Sequence, residues 1–432
     1  MAVMENVDAH GPSAVKRLFA SRLARQAALF TGASVFASIL SLVATALVAR
    51  NVSANAFGAF AFSVALLVFV AMFFEFGVYS AAARMAALDP PARRRIVGAS
   101  LLLYVPIGIA FVLVAIAVIP LADLWLDADL GSSFLVAAAL GIAYPFMSAG
   151  QELARGIDRL HVASVGNVVM PLSFVVLLGI LALFHDFSAG HALIVRSVAI
   201  FAAGALVAVW LRPSFERLRE TSAEIVRQAR EYGFHVYVGR ILSIGTFNMD
   251  VLLVGIWATT EDVGYYALAI AIAAGAGLPV IALATALFAR MAVEARIDRR
   301  WLILSTAAGA ALSLAAYLVA GTFVDHVFSD RYRDVVPLLV PLLAAQVVRG
   351  TTSIYNTYLS AHGRGRELRN AGLVLTASNL LLNFALIPPF GAMGAAWASL
   401  VALVANLIAH VVFYRRSLAA QEQLVARESG AS

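Results

Sequence analysis

Leu252-Leu-Val-Gly-Ile-Trp-Ala-Thr-Thr-Glu-Asp-Val-Gly-Tyr-Tyr-Ala267 has a counterpart 206 residues upstream, Ala46-Leu-Val-Ala-Arg-Asn-Val-Ser-Ala-Asn-Ala-Phe-Gly-Ala-Phe-Ala61. In each, an apolar run closes, a short polar stretch intervenes, and a glycine lies at the opening of the next apolar run. A second match, Gly156-Ile-Asp-Arg159 with Gly363-Arg-Gly-Arg366, falls at nearly the same spacing, 207. Two separate matches at almost one spacing indicate a duplication. The chain therefore reads as two halves of like topology.

The runs themselves are membrane spans. Of the 432 residues, 62% are hydrophobic and 13% charged, against about 45–50% and about 25% in soluble domains. A span needs about 20 mainly apolar residues, and such blocks fall near 27–49, 56–80, 97–120, 132–154, 162–184, 190–211, 234–258, 265–289, 301–323, 335–360, 367–388 and 391–414. The expectation is an all-α membrane protein of about twelve transmembrane helices. Six spans per half is an even number, so the halves share one orientation, related by an axis along the membrane normal.

Charge tests the count, because Lys and Arg gather in cytoplasmic loops. With the N-terminus inside, 25 of the 31 basic residues fall on the inner side. Outer loops hold only Arg50, Arg331 and Arg333, and Arg196, Arg240 and Arg349 lie within spans. Both termini are then cytoplasmic. The net charge of +6 follows from this topology and gives no reason to invoke nucleic acid. Residues 1–26 form a polar, basic cytoplasmic segment with no apolar core before a small-residue site, so no cleaved signal peptide is expected. The first six spans (27–211) make an N-lobe and the last six (234–414) a C-lobe, and 415–432 form a cytoplasmic tail. Between the lobes, 212–233 is a cytoplasmic linker. Its stretch Ser214–Arg230 sets Phe215, Leu218, Ile225, Val226 and Ala229 among charges, a pattern that suits a helix lying on the inner surface.

Ionisable groups inside spans are costly and mark interiors or wet cavities. Glu75 interrupts the second span. Arg240 and Asp250 share the seventh, about 15 Å apart at 1.5 Å per residue, with Asn248 beside Asp250. In the tenth span Gln346, Arg349, Ser353 and Asn356 form one helical stripe. Glu152 and Arg155 close the fourth span, and Arg196 lies near the outer end of the sixth. These residues line the expected transport cavity, where arginine's planar fork suits phosphate. The other reading is structural: buried ion pairs, a helix-end pair at Glu152 and Arg155, and snorkelling for Arg196. Eight scattered histidines and the absence of cysteine supply no metal-ligand spacing, and the histidines read as loop and surface residues. No P-loop is present.

Asn55-Ala-Phe-Gly-Ala-Phe60 leading to Phe74-Glu-Phe-Gly77, Asn248-Met-Asp-Val-Leu-Leu-Val-Gly255 with Glu261-Asp-Val-Gly-Tyr-Tyr-Ala267, and the later Leu359-Ser-Ala-His-Gly-Arg364, Asn379-Leu-Leu-Leu-Asn383, Ile387-Pro-Pro-Phe-Gly391 and Gly394-Ala-Ala-Trp397 occur in this order. Together they resemble the polysaccharide transport (Wzx-like) oligosaccharide flippases of the MATE-like MOP superfamily. The resemblance implies a V-shaped, two-lobed fold working by alternating access in a bacterial inner membrane. It further implies an undecaprenyl-pyrophosphate-linked oligosaccharide as cargo, moved from the cytoplasmic to the periplasmic leaflet. No cofactor is implied beyond a coupling H+ or Na+ gradient. Membrane lipids surround the chain, a monomer that docks with polysaccharide polymerase or glycosyltransferases. The family's charged cavity positions map onto Asp250 and Glu75, and less closely onto Arg240 and Arg349. A cation-coupled drug or metabolite antiporter of the same superfamily is the nearest alternative, although Ala27–Ala49 lacks the first-helix acid such pumps use. A membrane glycosyltransferase or polymerase would need a large outer loop, and the longest here, Leu121–Leu130 and Phe323–Asp334, are short. A non-transporting assembly scaffold is a third reading.

Overall fold

Backbone amides in lipid must be satisfied within the chain, so apolar segments of this length form helices. The computed structural model describes residues 22–118, 131–157, 159–184, 187–234, 237 and 249–429, and every regular element among them is helical. The first half contains α1 (Arg22–Asn51), α2 (Ala54–Met72), α3 (Val78–Leu88), α4 (Arg93–Ala117), α5 (Gly131–Leu140), α6 (Tyr144–Gly156), α7 (Leu160–Leu183) and α8 (Ala189–Trp210). The linker follows as α9 (Leu218–Gln228). The second half contains α10 (249–257), α11 (Thr260–Ala286), α12 (Arg299–Phe323), α13 (Val335–Ala361) and α14 (Gly365–Ser429). Ten stretches among the described residues are long and apolar enough to cross a membrane. One of them lies in α14, which Gly391 (φ 55°, ψ −136°) divides into two helices. Most of the expected seventh span lies outside the described residues. Leu113, Leu318 and Leu381 are among the large apolar side chains left on the outside, as a lipid solvent permits.

Two expected continuous spans are broken. The second ends at Met72, and Phe76 and Gly77 take left-handed backbone (φ 45° and 71°) before α3 begins. The fourth passes through a 3-10 turn at Gly141–Ala143 between α5 and α6. A non-glycine residue at positive φ costs about 1–3 kcal/mol, so neighbouring structure must hold Phe76 there. A close backbone crossing does so: a Cβ on Gly77 would overlap the carbonyl group of Gly233, and one on Gly233 would overlap that of Gly77. The linker helix α9 packs on α3 and α4 and buries Ile225. Its outer side carries the Arg227–Glu224 pair at 2.7 Å, and that bond holds the Glu224 carboxyl below its usual range.

The duplicated motifs meet. A Cβ on Gly58 would overlap the Thr260 carbonyl, and one on Gly264 would stand 2.9 Å from the Ala54 carbonyl and 3.1 Å from Gly58 N. Gly58 and Gly264, like Ala54 and Thr260, are separated by the repeat spacing of 206. The contact is therefore reciprocal, as a pseudo-twofold axis between α2 and α11 requires. Beside it, at the arginine-poor ends, Arg50 donates to His326 O (3.1 Å), Arg331 to Val52 O (2.9 Å) and Tyr332 Oη to Ala49 O (3.0 Å). The Tyr332 ring meets Phe57 and Tyr265 edge-on, at 5.9 and 6.3 Å. Eleven residues along α11, about 16 Å further at 1.5 Å per residue, Gly275 returns to the same helical face. A Cβ there would meet nothing within 4 Å. The close approach of the halves at Gly58 and Gly264 is therefore not repeated at Gly275.

Candidate functional site

The break in α2 positions the first site. Met72 and Glu75 face a cavity of about 320 Å³ lined by α2, α6, α7 and α8. α7 contributes Asn167 and Met170, α6 contributes Tyr144 and Met147, α8 contributes Arg196, and Tyr237 also lines the space. Gln151 Nε2 donates to Asn167 Oδ1 at 2.7 Å, and Tyr237 Oη donates to Phe73 O at 2.8 Å. Arg196 is held by stacking: its guanidinium lies 5.6 Å from the Phe174 ring centre, and Phe174 stacks on Phe60 at 6.5 Å. The Arg196 Nε is buried without a hydrogen-bond partner among the described residues. An aromatic platform thus presents a cation to a space whose other walls are largely apolar, with Glu75 and Asn167 as polar points. Such a lining suits an amphiphile with an anionic group.

The second site lies in the other half and is closed. Asp250, on α10, is 4% exposed and accepts from Asn383 Nδ2 (2.6 Å), Ser399 Oγ (2.9 Å) and Tyr266 Oη (3.1 Å). Asn383 Nδ2 also donates to Asn379 Oδ1 at 3.0 Å, and Asn383 Oδ1 is buried with no partner among the described residues. No arginine pairs with the carboxylate among the described residues. Oxygen-rich and without an opposing charge, the cluster has the donor set a small hard cation or a proton would take.

The sequence-selected residues separate into groups. Glu75 and Arg196 share the first cavity and Asp250 anchors the second cluster. Arg349 is half-buried on α13, one turn from Gln346, which fills the slot left by Gly277 on α11. Ser353 Oγ donates to Arg349 O at 2.9 Å, and Asn356 Nδ2 lies 3.4 Å from His410 Nε2. Glu152 is half-buried on α6. Arg240 and Asn248 lie outside the described residues, as does the side chain of Arg155. His410, read as a surface histidine, is buried in α14 and bonds through Nδ1 to Asn406 O at 2.9 Å. One helical turn separates His410 from Asn406, and the Asn406 amide in turn reaches Ala371 O at 2.7 Å. Its polar neighbours therefore come from the fold. The sequence reading passed over Asn167, Tyr266 and Ser399, which are single polar residues in apolar runs. Asn379 and Asn383 entered the sequence reading only within a family motif, although their spacing of four places them on one helical face.

A family model described as polysaccharide biosynthesis protein matches residues 23–293. A relative in Haloferax volcanii, the probable low-salt glycan biosynthesis flippase Agl15, is 24% identical over 402 residues, covering 90% of this chain and 82% of its own. An inward-facing multidrug resistance MATE family transporter of the MOP superfamily aligns with a TM-score of 0.68 at 15% identity, over 89% of this chain and 96% of that one. The lipid II flippase MurJ, in an inward closed conformation, aligns at 0.64 and 13% identity, over 90% and 87%. The MATE-like fold implied by the sequence resemblance is the fold of this multi-pass membrane protein.

Proposed function

Because the chain belongs to the polysaccharide biosynthesis protein family, we propose that it is a flippase. Its cargo in this reading is a polyprenyl-pyrophosphate-linked oligosaccharide, moved from the cytoplasmic to the periplasmic leaflet of a bacterial inner membrane by alternating access. The observation that carries this is the Arg196 cavity: a half-buried cation whose Nε is buried with no partner among the described residues, set in a space lined by Glu75, Asn167 and three methionines. Pockets of about 300–1,000 Å³ hold drug-sized groups, so this one takes the phosphate-bearing head while the sugars extend into the cleft between the lobes. The relative's description as a glycan biosynthesis flippase supports the same cargo class. Arg349, Gln346 and Asn356 supply the C-lobe side of the route, and Glu152, Arg155, Arg240 and Asn248 complete its polar lining. The work is transport by a monomer, in contact with a polymerase or glycosyltransferases, and no covalent chemistry is required of it. The test is Arg196→Ala in a strain lacking the native gene. Lipid-linked oligosaccharide is expected to accumulate on the cytoplasmic side while the variant inserts normally, and undiminished surface polysaccharide would remove Arg196 from the route.

Coupling to an H+ or Na+ gradient is assigned to Asp250. A buried carboxylate with an oxygen of Asn383 left over offers one place for a cation, with no fixed countercharge among the described residues. Asp250→Asn keeps an acceptor oxygen and the packing. In proteoliposomes it is expected to transport at a rate indifferent to an imposed gradient, and a full gradient response would move the coupling site elsewhere. A drug or metabolite antiporter is the reading favoured by the likeness to the multidrug transporter. It would show as drug sensitivity in the deletion strain with ordinary polysaccharide.

A further inference from the structure

Glu75 and Phe76 are neighbours in sequence but face different spaces. The left-handed turn at Phe76 and Gly77 sends Glu75 into the Arg196 cavity and Phe76 into a second pocket of about 400 Å³. That pocket is lined by Phe76, Val78, Val226, Ala229, Arg230 and Phe234, with one cation and no acid. Its rings are open to the surroundings, Phe76 at 47% and Phe234 at 51% exposure. Strained backbone that puts a large apolar ring outside the fold is a feature to be explained by function. One side chain of the cavity touches two rings of the pocket. Tyr237 lines the cavity, and its ring stands 6.0 Å from Phe76 and 6.1 Å from Phe234. Phe74 extends the ladder, 5.9 Å from Phe76.

We propose that the Phe76–Phe234 pocket is a lateral subsite for the isoprenoid chain of the cargo, with Arg230 at its rim for phosphate. This rests on the flippase reading above. An amphiphile whose head occupies the Arg196 cavity must leave its chain in contact with lipid, and Tyr237 joins the cavity wall to the rings of Phe76 and Phe234. A methyl-branched chain packs against aromatic faces without needing a hydrogen bond. Arg230 supplies charge complementarity to a phosphate where head and chain join.

The full chain, purified in phosphatidylcholine vesicles containing a polyprenyl pyrophosphate, tests this with the photoreactive residue p-benzoylphenylalanine. It is placed in turn at positions 76 and 234, at 170 in the cavity, and at 114 on the exposed outer side of α4. Adducts are identified by mass spectrometry. Adducts at 76 and 234 are expected to carry the prenyl chain well above its share of the bilayer, while those at 114 follow the bulk composition. Phe76→Gly, which removes the ring and relieves the left-handed backbone, should lower the enrichment at 234 by about fivefold, the scale of one lost aromatic contact. Bulk composition at 76 and 234 with enrichment at 170 would overturn the subsite and leave the flippase reading standing. Bulk composition at all four positions would overturn both.

Discussion

The two lobes share a scaffold and differ in where they keep their polarity. At the seam they are near copies, Gly58 against Gly264 and Ala54 against Thr260. Inside, the correspondence ends. At the repeat spacing, Asp250 falls on Ala44 and Tyr266 on Phe60, both buried and apolar; at 207, Ser399 falls on Ala192. In the other direction Glu75 falls on Ile281, and Arg196, at 207, on Leu403. The N-lobe therefore holds an open cavity with opposite charges, and the C-lobe a closed carboxylate cluster. Duplication supplied two walls; in the function proposed above, divergence gave one wall the cargo and the other the ion.

The harshest test moves the C-lobe's acid into the N-lobe. Ala44→Asp buries a carboxylate with none of the Asn383, Ser399 and Tyr266 donors. An acid at the centre of a span costs about 3 kcal/mol even on insertion scales, and here the site is also packed. The variant should fail to give a monodisperse peak in detergent chromatography, and a well-behaved peak would mean the N-lobe position is wet. Next is the seam. Gly58→Ala drives a methyl into the Thr260 carbonyl and is expected to cost about 1–3 kcal/mol through overpacking. Gly264→Ala meets its nearest atom at 2.9 Å and should cost less. Because the chain has no cysteine, spin labels on cysteines at Asn51 and Glu261, both exposed, can report the seam without background. Gly58→Ala should lengthen that distance more than Gly264→Ala, and equal shifts would show that the contact is not the hinge.

The clasp beside the seam comes third. Tyr332→Phe keeps both edge-on ring contacts and loses the bond to Ala49 O. One hydrogen bond contributes about 1 kcal/mol, so the open population at the arginine-poor end should rise about fivefold. The same spin-label pair measures it. No change would place the closing free energy in the glycine contact alone.

Much of this frame was legible in the sequence because it depends on local patterns. Apolar length marks spans, and the repeat motifs named the two glycines that meet at the axis. The remainder depends on contacts that no window contains. Asp250 finds Asn383 and Ser399 at separations of 133 and 149 residues, so nothing near it shows whether its partner is an arginine or an amide. The break in α2 was hidden because Met72-Phe-Phe-Glu-Phe-Gly77 stays apolar around one acid. Gly77 was the single hint, and its meaning came from Gly233 crossing it. Arg196 also read as a snorkelling residue, because the Phe174 and Phe60 platform that holds it comes from two other helices, α7 and α2.

The finest test exchanges the two rings that hold equivalent places. Tyr266→Phe removes one donor from Asp250 but leaves Ser399 and Asn383. Hydrogen bonds between membrane helices contribute about 0.6 kcal/mol on average and up to about 1.7, so a loss in that range is expected in detergent unfolding. Phe60→Tyr adds a hydroxyl where the stack of Phe57, Phe60 and Phe174 offers apolar faces, and an unmet buried hydroxyl costs about 1–3 kcal/mol. The two exchanges should therefore both destabilise, although they are mirror images at chemically reversed sites. Had the lobes kept equivalent interiors, Phe60→Tyr would find a partner waiting and stabilise the fold. A higher unfolding midpoint for Phe60→Tyr would thus reveal a polar group in the N-lobe at the place where the C-lobe keeps Asp250, and the proposed division between cargo wall and ion wall would have to be redrawn.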